Sequence, residues 1–156
     1  MARRILSLVT CLAMVFMVAA CSSNAQIKHV DGELSEIFAK IYENANAEEI
    51  MTIEMAVDEN NKASMLGSAD VDFIEGLASE AAIMTIPHSM VLIRVDTNSD
   101  IEKTKQLIKD NVNPRKWICV GVESDQVIVD NIGDLVFLVM SAQADAYHES
   151  FLQLAK

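Results

Sequence analysis

The first 21 residues constrain this chain more than any other stretch. Arg3-Arg4 precede an uncharged run of 16 residues at 5–20, ILSLVTCLAMVFMVAA. A positive start and an apolar middle closed by small residues are the marks of a secretory signal peptide. A helix needs roughly 20 apolar residues to span a bilayer, so a permanent transmembrane helix is the weaker reading. Ala2 stands where a twin-arginine signal prefers Ser or Thr, which favours the general secretory route. Residues 1–20 are therefore read as a removable targeting segment, outside the fold.

The run ends in Val18-Ala19-Ala20-Cys21, which resembles the lipobox of bacterial lipoproteins: an aliphatic residue, two small ones, and the cysteine that begins the mature chain. The resemblance implies that the Cys21 thiol receives a diacylglyceryl group before cleavage. The alternative is an ordinary signal peptide cut near Ala20, with Cys21 incidental. Acyl chains contribute about 0.8 kcal/mol per buried CH₂, and two of them suffice for stable anchoring. The expected location is the extracytoplasmic face of the cell membrane, with the covalent lipid on Cys21 and no other cofactor. Residues 21–32 read as a tether whose reach as a flexible chain is about 20 Å.

Removing 20 residues leaves 136, enough for one domain and few for two. Of the 12 basic residues Arg3 and Arg4 belong to the signal, while all 23 acidic ones lie beyond it, so the remainder carries a net charge of −13. Nucleic-acid binding rests on clustered Lys and Arg, and this balance argues against it. Cys11 leaves with the signal and Cys21 is the lipid site, so Cys119 has no partner for an internal disulfide. Within Trp117-Ile118-Cys119-Val120 it reads as a small buried hydrophobe, with no basic neighbour to make it a nucleophile.

Hydrophobic spacing predicts one α+β domain over 33–156, a mainly antiparallel sheet packed with amphipathic helices. Helices are expected at 33–44, 100–112 and 143–155, with a short one at 58–66 stopped by Gly67. Ser99-Asp100-Ile101-Glu102 has the form of a capping box with Ser99 as the cap. Strands are expected at 89–95, 117–122, 127–130 and 135–140, the last three as a meander. The stretch 71–82 reads as either a strand or a helical turn. The runs at 117–122 and 135–140 are apolar on both faces, so both sides of the sheet should be covered, by helices on one and the segment 51–57 on the other.

Few motifs in the chain carry recognisable chemistry. His29, His88 and His148 show no metal-ligand spacing, and neither Glu48-Glu49, Asp58-Glu59 nor Asp70-x-Asp72 follows the calcium-loop pattern. Met51 and Met55 sit at helical spacing, more consistent with core filling than with copper. No catalytic or metal site is assigned. The candidate binding residues are Arg115, Trp117 and His88. In Asn113-Pro114-Arg115-Lys116-Trp117 an arginine fork and an indole face could meet an anionic group or sugar; the alternative makes Trp117 a core anchor. His88, beside Pro87 at a strand start, is either a ligand contact at the sheet rim or an ordinary surface histidine.

Pro87-His88-Ser89 before VLIRV, the helix DIEKTKQLIKDNV, NPRKWICVGV and VIVDNIGDLVFLVMS together resemble a family of small lipoproteins of Gram-positive anaerobes defined only as a domain of unknown function. The likeness spans roughly 34–154, and NPRKWICVGV is its most specific part; the proline expected after Ser79-Glu80 is missing. The family brings no activity and no catalytic residues. The resemblance implies genes placed beside membrane-bound O-acyltransferases, and with them an accessory role in acylating an envelope polysaccharide.

Two function classes therefore stand. One is a non-catalytic accessory or interaction protein of the cell envelope, with a membrane-protein partner. The other is a small-molecule or glycan-binding module, which requires a concave pocket near Arg115, Trp117 or His88. An enzyme is a third, without a named catalyst.

Overall fold

In a computed structural model, which describes residues 27–156, the chain runs α1 (Leu34–Asn44), β1 (Thr52–Ala56), α2 (Lys62–Leu66), β2 (Glu75–Ala81), β3 (His88–Arg94), α3 (Ile101–Asn111), β4 (Val127–Ile132), β5 (Leu135–Ser141) and α4 (Ala144–Gln153). The strands form a single antiparallel sheet in the order β1-β2-β3-β5-β4. This is the α+β class that the periodicities predict.

Strands β3 and β5 occupy the middle of the sheet, and all seven residues of each are buried. Their apolar character on both faces is what a doubly covered strand requires. One face, with Met90, Leu92, Leu135, Phe137 and Val139, packs on α1 and α4 through Ile37, Phe38, Ile41, Tyr147 and Phe151. The other, with Val91, Ile93, Val136, Leu138 and Met140, packs on Leu66 of α2, on Ile101 and Ile108 of α3, and on Trp117 and Val122. The Ser150 hydroxyl donates to the Ile41 carbonyl at 2.8 Å, fixing α4 against α1.

Several local expectations need correction. The segment 117–122 is not a strand. The Val122 amide turns back to the Pro114 carbonyl at 2.9 Å, and Cys119 adopts φ +65°, so the chain closes a loop instead of extending. Trp117 and Val122 enter the core while Ile118 is 68% exposed and Cys119 is exposed, which overturns the buried-thiol reading. The meander is thus the β4–β5 hairpin alone. The segment 51–57 does not cover a face; it supplies β1 at the sheet edge, where Met51 and Met55 are spaced by strand and not by helix periodicity. Of the ambiguous stretch, 75–81 is strand β2.

Helix α3 is capped by Asp100, whose carboxylate accepts the Lys103 amide at 3.1 Å, and not by Ser99. Asp fills this role as well as Ser, and the one-residue shift leaves Ser99 in the preceding turn. The short helix starts at Lys62, after a turn in which Asp58 and Asn61 exchange bonds, and ends at Gly67 with φ +82°. No described helix is long and apolar enough to cross a membrane.

Candidate functional site

Strand β3 begins and ends in polar clusters, and these are where buried polar chemistry concentrates. At its start, strand alternation sends the side chains of His88 and Ser89 to opposite faces. His88 is fully buried. Its Nε2 lies 3.0 Å from the Tyr42 hydroxyl and its Nδ1 3.1 Å from the Ser141 hydroxyl, while Tyr42 also reaches the Ser79 hydroxyl at 2.8 Å. Tyr147 packs edge-on against both His88 and Tyr42. Burial, aided by the charge of Lys116, lowers the His88 pKa to about 4, so the ring is neutral at ordinary pH. The same burial pushes Tyr147 up to about 12 and raises Tyr42. A neutral imidazole has one donor and one acceptor nitrogen, and two hydroxyls use both.

On the opposite face Lys116 places Nζ 2.7 Å from Glu80 and 3.0 Å from the Ser89 hydroxyl, which itself donates to Glu80 at 2.5 Å. The pair is about 15% exposed on either side and is therefore largely shielded from water. Lys116 also lies 5.5 Å from the Trp117 ring centroid. Lys116 is part of the motif NPRKW, but its partner Glu80 is far away in sequence, and only the sheet register brings Glu80 opposite Ser89.

At the far end of β3, Arg94 is 6% exposed and Asp134, in the β4–β5 turn, 1%. Arg94 donates to Glu75 at 2.6 Å, to the Val30 carbonyl at 2.5 Å and to the Gly32 carbonyl at 2.9 Å. Asp134 accepts the Val30 amide at 2.9 Å, pairs with His29 at 2.6 Å, and donates its own amide to the Lys28 carbonyl. Gly133 adopts φ +53°, and a Cβ there would fall 2.0 Å from the Lys28 carbonyl oxygen. The end of the expected tether, 28–32, is thus docked on the domain by a buried ion pair.

Of the three candidate residues, His88 is interior and not at a rim. Trp117 is 9% exposed within a core cluster, and Arg115 is exposed with Glu123 at 3.4 Å. Three surface depressions among the described residues are lined by other side chains. These hold about 230, 270 and 170 Å³ and lie beside Tyr42 and Glu48, beside His29 and Leu154, and along α3. Among the described residues no group of three His, Cys, Asp or Glu side chains is placed to hold a metal ion. Cys21 lies outside the described residues.

No family model matches the chain, and no similar protein was found among curated proteins or solved structures.

Proposed function

We propose that the chain is an extracytoplasmic lipoprotein, lipidated at Cys21, whose domain is a non-catalytic accessory or interaction protein of the cell envelope. The observation that carries this reading is the docking of 28–32 on Arg94 and Asp134. A signal peptide and lipobox deliver an anchor at Cys21, and only six residue steps separate it from Ile27. At full extension they span about 20 Å. The Arg94 end of the sheet then faces the bilayer, and the His88 end points away from it.

A ligand-binding module finds less support, because Trp117 packs in the core and His88 is interior. The resemblance to lipoproteins linked with O-acyltransferases suggests that the partner is an integral membrane protein of envelope polysaccharide acylation. Crosslinking and affinity capture of the lipidated protein from native membranes, with Cys21→Ala as control, tests the reading. The expected result is one dominant membrane protein that disappears with the anchor. Recovery of no specific partner would contradict it.

A further inference from the structure

Among the described residues, strand β1 bonds to the sheet along one side only. Met51 accepts the Ala82 amide and Val57 donates to Gly76, so in the antiparallel register the odd-numbered residues 51, 53, 55 and 57 turn their backbone groups toward β2. The even-numbered residues turn theirs outward. Asn61 occupies the Ala56 carbonyl. The amides of Thr52, Glu54 and Ala56 and the carbonyls of Thr52 and Glu54 have no partner among the described residues.

The side chains along this edge alternate in chemistry as well. Met51, Ile53 and Met55 share the face of Ala78 and are 75, 55 and 38% exposed, because the helices on that face do not reach over β1. Glu54 points to the other face, where its charge is felt by Tyr42. From Lys40 to Lys62 the chain carries six carboxylates and no basic residue between those two lysines. An edge strand that is apolar on one face and acidic on the other has unsatisfied backbone and side chains to offer a period-two partner.

We propose that β1 is the docking edge for an extended segment of a partner protein in which apolar residues alternate with Lys or Arg. The segment adds as a further strand, its apolar side chains beside Ile53 and Met55 and its cations beside Glu54. A second copy of this chain is a poor occupant. Antiparallel pairing of two β1 strands about their centres sets Glu54 opposite Glu54, between domains of strongly negative charge. The proposal rests on the interaction reading above and names its surface.

The test uses the full-length chain in detergent with a short fluorescent peptide of alternating Lys and Val, against a peptide of the same composition in two blocks. Binding of the alternating peptide alone is expected, with slowed hydrogen exchange at the Thr52, Glu54 and Ala56 amides. Glu54→Pro removes one outward donor without touching the ladder to β2, and Glu54→Lys reverses the charge. Each is expected to weaken binding by about tenfold or more. Equal binding of both peptides, wild-type affinity in both variants, or self-association through β1 in the absence of peptide would overturn the proposal. So would absence of binding, and if membrane capture still recovers a partner then the interaction reading stands and only the edge assignment falls.

Discussion

Arg94 and Asp134 meet at 3.4 Å beneath the main chain of residues 28–32, and between them they hold the carbonyls of Val30 and Gly32 and the amide of Val30. Removing one partner of a buried ion pair leaves the other charge uncompensated. Asp134→Asn is therefore expected to lower stability by about 1–3 kcal/mol and to speed hydrogen exchange at the Val30 amide, as read by urea titration and exchange mass spectrometry. Gly133→Ala should release the same segment through the clash with Lys28, with Asp134 still present.

His88 gives the fold a pH dependence with a definite sign. Its pKa is near 6.5 in the unfolded chain and about 4 when folded. The unfolded state therefore binds the proton first, and stability is full above pH 6.5 and declines as pH falls toward 4. The loss approaches about 3 kcal/mol at the lower end. In His88→Gln, denaturant titrations across this window should show a visibly shallower slope.

Trp117 and Arg115 separate the two readings of NPRKW by stability. Trp117 packs in the core, so Trp117→Ala is expected to cost about 3–5 kcal/mol. Arg115 is exposed with a single long contact to Glu123, so Arg115→Ala should change stability by less than about 0.5 kcal/mol. Thermal or chemical unfolding of the two variants measures both.

The parts of the fold legible in the sequence are those where one local signal suffices. The stripe Leu34, Ile37, Phe38 and Ile41 predicts α1, the β-branched run at 89–95 predicts β3 as a strand, and the apolar run at 135–140 predicts β5 as a strand covered on both faces. The run at 117–122 misled because β-branched residues suit strands, whereas the turn at Cys119 and the closure on Pro114 leave no mark in residue type. Strand β1 was obscured because two methionines four apart imitate a helix. The polar clusters were largely illegible for a different reason. Glu80 with Lys116, His88 with Tyr42, and Arg94 with Asp134 are pairs that only the sheet register and helix packing bring together.

The proposed function stands on Cys21 being the lipidated first residue of the mature protein. Mass spectrometry of the N-terminal peptide from membrane-extracted protein tests it most directly. The expected result is a peptide that begins at Cys21 and carries a diacylglyceryl mass, with the protein leaving the membrane fraction in Cys21→Ala. An unmodified Cys21 would contradict it, whether the peptide begins there or retains the upstream sequence.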